Sequence, residues 1–153
     1  MPGQYQIARG DTMVVFTPAG AIDGRRTHGS GVYSADMRYI ECFSISVTDM
    51  SFRVTHGRCN DNVAVFRRLG HVGDPAERID TVLTLRYEIA PGGAVHVNVD
   101  LLNASPQRLR KRITVETSAV FQDIFEVRDP MEGVMQTFLQ SALPLRLEVE
   151  QRA

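Results

Sequence analysis

The sequence has no tryptophan, two cysteines, and no apolar run long enough to cross a bilayer. A helix that spans a membrane needs about 20 consecutive apolar residues, so no such helix is predicted. Cys42 and Cys59 are too few for a disulfide framework and form no Cys-x-x-Cys pair, which predicts reduced thiols. The first residues lack a basic start followed by an apolar stretch, so no secretory signal is predicted either. Together these features predict a cytoplasmic protein.

The sequence also lacks an excess of charge of either sign. Its 17 basic and 18 acidic residues give a formal net charge of -1, which provides no general attraction to nucleic acid or to an anionic membrane. The densest basic cluster consists of Arg108, Arg110, Lys111 and Arg112. This cluster is short and lies in a strand-like stretch, so a solvated strand face is the better interpretation. We therefore predict neither a nucleic-acid partner nor a membrane partner.

Length and composition fit one soluble domain. The chain has 153 residues, of which 43% are hydrophobic and 23% charged. This length is enough for one hydrophobic core. Internal repeats, low-complexity tracts and linker-like segments are absent, so residues 1–153 are predicted to form a single domain.

Alternation of apolar and polar residues with a period of two dominates the sequence and indicates half-buried strands. It is found in segments 12–17, 41–47, 62–66, 81–89 and 95–101, and a further strand is predicted at 109–117 after a polar turn. Pro91, Gly92 and Gly93 predict a turn that joins two of these strands into a long hairpin. Short polar turns between strands are typical of antiparallel sheets, so we predict an all-β antiparallel sandwich. At most one short helix is expected near the C-terminus, at 129–141, with a last strand at 145–150.

Three segments, in matching order and spacing, resemble a known family. Residues 31–40, Gly-Val-Tyr-Ser-Ala-Asp-Met-Arg-Tyr-Ile, are similar to a family pattern Gly-Leu-Phe-Tyr-x-Asp-Thr-Arg-x-Leu. Residues 97–103 resemble a strand that ends in Thr-Asn, and residues 121–128 resemble the middle of a pattern Asp-Phe-x-Asp-Leu-Phe-Glu-Val-Arg-Gly. The family is the N-terminal domain of bacterial-type glycogen debranching enzymes, also called amylo-α-1,6-glucosidases. The resemblance covers 6–129 and leaves 130–153 as an unmatched tail.

The sequence departs from the family pattern at several positions. These positions are Ser34, Ala35, Met37, Val120 and Asp129. The resemblance implies a sandwich that continues into a large helical barrel with the catalytic carboxylates, and 153 residues are too few for that barrel. Hydrolysis of α-1,6 links is therefore not carried over, and no catalytic residue is predicted.

The first candidate site consists of Tyr33, Asp36, Arg38 and Tyr39. Asp36 and Arg38 lie two apart, so in an extended segment they would share a side and could form an ion pair. The resemblance implies that this loop helps to shape a sugar site, where Tyr33 or Tyr39 would offer a ring for stacking. The simpler interpretation, which we favour, is a structural Asp–Arg pair that holds the loop to the sandwich.

The second candidate site consists of Asp123, Phe125, Glu126 and Arg128. Two carboxylates three residues apart could serve as a general acid and a base, but a glycosidase needs them across a substrate cleft. The apolar residues between them are typical of a core around a tight turn. We therefore interpret this group as a structural motif.

Metal and cofactor sites are not predicted. His56 and Cys59 have a His-x-x-Cys spacing, but no second pair accompanies them. The sequence also lacks a phosphate-binding glycine loop and a serine nucleophile elbow.

Two functional hypotheses of different class remain, and neither is an enzyme in its own right. In the favoured one, the chain is a structural subunit that forms a homo-oligomer or binds a protein partner through exposed strand edges. In the other, it is an accessory module that binds an α-glucan through the loop around Asp36, or one piece of a split glycoside hydrolase. The aromatic content of 7% weighs against a sugar-binding face, which needs flat rings.

Overall fold

The computed structural model describes residues 5–71, 81–104, 106, 108–124 and 127. Within these residues there are ten strands, β1 (Gln6–Arg9), β2 (Thr12–Val15), β3 (Ile22–Asp23), β4 (Gly31–Ser34), β5 (Met37–Val47), β6 (Ser51–Asn60), β7 (Val63–His71), β8 (Thr81–Ile89), β9 (Val95–Asn103) and β10 (Ile113–Asp123). They form two antiparallel sheets. Sheet A has the order β1-β2-β4-β5-β10, with β3 also paired to β5, and sheet B has the order β6-β7-β8-β9. The predicted all-β sandwich is confirmed, whereas the predicted helix at 129–141 and strand at 145–150 lie outside the described residues.

The hairpin of β8 and β9 forms as predicted. Its strands pair in register from Thr81 with Asn103 to Ile89 with Val95. Ala90 N donates to Ala94 O at 2.8 Å, and Gly93 takes the positive φ of 86° that closes the turn. The next strand differs from its prediction, since β10 begins at Ile113 and continues to Asp123. Pairing with β5 extends as far as Asp123, opposite Met37, so the strand continues past the predicted end at residue 117.

The core lies between the sheets and is centred on aromatic rings. Phe66 of sheet B is fully buried, and its ring centroid lies 4.9 Å from that of Phe16, 5.4 Å from that of Tyr5 and 6.1 Å from that of Tyr87. Phe43 of β5 meets Tyr87 across the sandwich at 6.2 Å. These edge-on contacts join the two sheets, because each ring sits between residues of both.

The two cysteines are free, and each is half-buried. Burial raises the pKa of both thiols, and the Asp23 carboxylate raises that of Cys42 further. Among the described residues, no helix is long and apolar enough to cross a membrane.

Stability should fall between about pH 10 and about pH 12, because burial raises the pKa of Tyr87 from 10.0 to about 12. Its pKa is higher in the folded than in the unfolded state, so the stability it contributes is present below the unfolded value. That stability is lost as the pH rises through the folded value. The difference between the folded and unfolded pKa values corresponds to roughly 3 kcal/mol. Urea unfolding of wild type and Tyr87→Phe across this range measures the effect, and wild type should lose the larger share. An identical loss in both proteins would contradict the assignment to Tyr87.

Candidate binding surfaces at the β4–β5 turn and on strands β9 and β10

The first candidate surface is built around the tight turn between β4 and β5. Ala35 and Asp36 both have positive φ, 47° and 64°, as the central residues of a type I′ hairpin turn require. Ala35 N donates to Asp11 O at 3.1 Å, and Ile124 N donates to Asp36 O at 2.9 Å. The turn is therefore held between the β1–β2 turn and the residue that follows β10.

Arg38 lies inside the fold and not beside Asp36. Its side chain is buried, and Nε and Nη2 donate to Gln122 Oε1, the former at 3.0 Å. Nη1 donates to Ser30 O at 3.2 Å, and Nη2 lies 3.6 Å from Glu41 Oε1. The predicted Asp36–Arg38 ion pair is thus wrong: Asp36 belongs to a turn and not to an extended segment, and Arg38 pairs with Glu41. Arg38 holds its loop to the sandwich through Gln122, Ser30 and Glu41 and not through Asp36.

Tyr33 is also an internal residue. Only 5% of it is exposed, and its hydroxyl donates to Gly29 O at 2.8 Å. Its ring packs with Val15 and Val127, and burial raises its pKa against the opposing effect of Arg38. A ring enclosed in this way offers no face on which a sugar could stack.

Tyr39 occupies a β-bulge. Arg38 and Ile40 both pair with residues of β4 and of β10; between these pairs β4 has no residue opposite Tyr39, and β10 has two, Val120 and Phe121. The ring of Tyr39 meets that of Phe121 at this irregularity, with centroids 5.6 Å apart and planes at 86°. Tyr39 and Tyr33 therefore do not form a shared aromatic platform.

Of the second predicted group, Asp123 ends β10 opposite Met37 and is exposed. Phe125, Glu126 and Arg128 lie outside the described residues. Val127 is buried against Val15 and Tyr33, as expected of a core residue in this stretch. Within the described residues, Ile124 bonds the β4–β5 turn and Val127 packs into the core, so the segment after β10 connects the two.

A shallow cleft of about 310 Å³ opens between the β1–β2 and β4–β5 turns. Asp11, Thr12, Asp36 and Tyr33 line it. Sequence reasoning missed Asp11 and Thr12, although the adjacent Gly10 marks a turn at this place. In the part of the chain that the structure describes, no three His, Cys, Asp or Glu side chains come together as a metal site would require.

The second candidate surface is formed by β9 and β10, each of which has one neighbouring strand among the described residues. In that part of the chain, the exposed large apolar side chains are Val99, Leu102 and Ile113, at 38%, 58% and 45%. All three lie on β9 or β10. Val99 and Ile113 pair with the buried residues Leu85 and Val47, so these inner positions are less covered than those of β8, which are buried throughout. Leu102 pairs with Val82 and lies on the outer face.

Comparison with known proteins gives one family. A family model described as the N-terminal domain of (some) glycogen debranching enzymes matches residues 7–150. The match runs past Asp129, where the motifs in the sequence end, and takes in most of the 130–153 segment that they left unmatched. No curated protein and no solved structure matches the chain.

Proposed function

Since the chain belongs to the family of glycogen debranching enzyme N-terminal domains, we propose that it is a non-catalytic structural module that joins a second copy or another protein. The contact uses the edges of β9 and β10. The observation that carries this proposal is the concentration of exposed apolar side chains on these two strands.

The chemistry of β10 favours pairing with an added strand. Edge strands that avoid association carry lysine, proline or inward-pointing charge. β10 has none of the first two, and its only charged residues are Glu116 and Asp123. From Ile113 to Ser118 its pairing with β5 is regular, so the opposite edge has an unbroken row of backbone groups. A strand laid on this edge would also cover Ile113.

The alternative, an α-glucan-binding module, has less support. It needs exposed rings near Asp36, whereas Tyr33 is enclosed and Tyr39 is turned edge-on to Phe121. The polar cleft between Asp11 and Asp36 favours it, since carboxylates accept hydrogen bonds from sugar hydroxyls.

Light scattering behind a sizing column measures the assembly. Wild type should have at least twice the monomer mass at about 10 μM, a concentration at which a micromolar contact is largely occupied. Ile113→Lys should return it to the monomer mass, because it adds a charge to an edge residue that is already 45% exposed. Ser51→Lys, at an exposed position at the start of β6, is the matched control and should leave the mass unchanged.

A monomer at about 100 μM would contradict self-association, and the partner form of the proposal would then require a protein that binds wild type and not Ile113→Lys. Affinity electrophoresis in a gel containing glycogen tests the alternative. Retardation of wild type that is lost in Tyr39→Ala would favour glucan binding over assembly.

A further inference from the structure

The outer face of sheet B carries charged and apolar residues in regular rows across the strands. In one row Arg58, Val65 and Arg86 are direct neighbours, and in the next row His56 pairs with Arg67. A further row consists of Leu69, Val82 and Leu102. Val65, Arg67 and Leu69 of β7 lie on the face of sheet B that points away from the core. The alternate positions Ala64 and Phe66 are fully buried and point into it.

Most of the cations on this face form no ion pair within the described residues. Arg86 is paired with Glu88 at 2.9 Å, but Arg58 and Arg67 are exposed and form no ion pair with any residue that the structure describes. Arg53 pairs with Leu69 and adds an exposed cation to the Leu69 row. The face is therefore basic although the whole chain has a net charge of -1.

A β-bulge opens this surface. The register of β6 and β7 shifts between Val54 and His56, and the Thr55 hydroxyl donates to Arg67 O at 3.2 Å where the ladder is interrupted. A groove of about 590 Å³ lies beside the bulge, lined by the apolar residues Val65 and Leu69 and by Arg58 and Arg67 among others. Bulges commonly redirect side chains next to functional sites.

We propose that this groove binds an extended, acidic segment of a partner protein. Successive rows on the face are about 7 Å apart, which is also the spacing of alternate side chains in an extended peptide. A segment lying along the strands would place an apolar side chain on the row of Leu69 and a carboxylate on each of the next two rows. The recognised pattern is an apolar residue with acidic residues two and four positions away.

A protein segment fits this face better than a nucleic acid. Val65 and Leu69 line the groove, and an apolar side chain of a protein segment can cover them, whereas a phosphate backbone cannot. The groove is lined by Thr55, His56, Arg58, Val65, Arg67 and Leu69, which include no Phe, Tyr or Trp ring for base stacking. Apolar and carboxylate groups together match what the face offers.

Fluorescence anisotropy with a labelled peptide, Glu-Thr-Glu-Thr-Leu-Thr-Glu-Thr-Glu, tests the proposal; the symmetric sequence serves either strand direction. The full-length protein should bind it saturably, and the same peptide with Gln for Glu should bind at least about tenfold more weakly. The double variant Arg58→Glu with Arg67→Glu should also lose at least about tenfold. The matched double variant Arg108→Glu with Arg110→Glu, at exposed positions before β10, changes the net charge equally and should bind within about twofold of wild type.

Equal losses in the two double variants would overturn the proposal, because general attraction and not the groove would then explain binding. So would the absence of saturation at about 1 mM peptide, or tighter binding of single-stranded DNA of equal charge. Matching urea midpoints for both double variants separate loss of binding from loss of folding. The outcome does not depend on the mass of the protein in solution, so failure of the edge contact and failure of the groove are distinguishable.

Discussion

Replacing Phe66 with alanine should lower the free energy of unfolding by about 3–5 kcal/mol, as expected when a buried aromatic ring is removed. Phe66 is fully buried and contacts the rings of Tyr5, Phe16 and Tyr87. The cavity left by the ring would not be refilled easily, because two glycines lie against the ring and have no side chain that could move into the space. A methyl group on Gly20 would come within 2.3 Å of it, and one on Gly57 within 3.0 Å, so the backbone is already in close contact there.

Urea unfolding followed by circular dichroism measures this loss. Leu102→Ala is a useful comparison, since Leu102 is 58% exposed and should cost less than about 1 kcal/mol. If Phe66→Ala and Leu102→Ala unfolded at the same urea concentration, Phe66 would not be a central residue of the core.

Replacing Arg38 with methionine should lower the free energy of unfolding by about 2–3 kcal/mol, as expected when hydrogen-bond acceptors inside the fold lose a charged donor. Methionine preserves much of the side-chain length but leaves Ser30 O and Gln122 Oε1 without the Arg38 donors, whereas Glu41 keeps its contact with Arg25 at 3.5 Å. Ser30 is fully buried, so its carbonyl gains no water in exchange, and the unmade bond outweighs the gain from an apolar side chain.

Two further variants, measured in the same urea experiment, show which partners of Arg38 account for the loss of stability. Asp36→Asn should change the free energy of unfolding by less than about 0.5 kcal/mol, because its backbone carbonyl and not its carboxylate holds Ile124. Glu41→Gln should cost less than Arg38→Met, because Arg38 keeps Ser30 and Gln122. If Asp36→Asn lowered the free energy of unfolding as much as Arg38→Met, the result would support the Asp36–Arg38 ion pair that the sequence suggested and contradict the partners described above.

The sequence predicted the fold class and the β8–β9 hairpin because both depend on local patterns. Alternation marks which face of a strand is buried, and Pro91, Gly92 and Gly93 mark where the chain reverses. The partners of Arg38 could not be read in the same way. The rule that residues two apart share a side assumes unbroken extended chain, whereas Asp36 lies in a turn and Tyr39 in a bulge.

The basic face was missed for a different reason. Arg58, Arg67 and Arg86 come from three strands, and only the pairing of those strands brings them together. The basic cluster that is visible in the sequence, 108–112, precedes β10 and lies outside the strands. Charge density along a chain and charge density on a sheet face are therefore separate properties, and the second needs the register.

The bulge at Tyr39 restricts how chains of this kind can change length. Between the pairs that Arg38 and Ile40 form, β4 has no residue opposite Tyr39, whereas β10 has two, Val120 and Phe121. Deleting Tyr39 would make the ladder with β4 regular, but it would leave the two residues of β10 with nothing opposite them on β5. A change of length at position 39 therefore has to be matched by a change between residues 119 and 122, and among relatives the two segments should vary in length together.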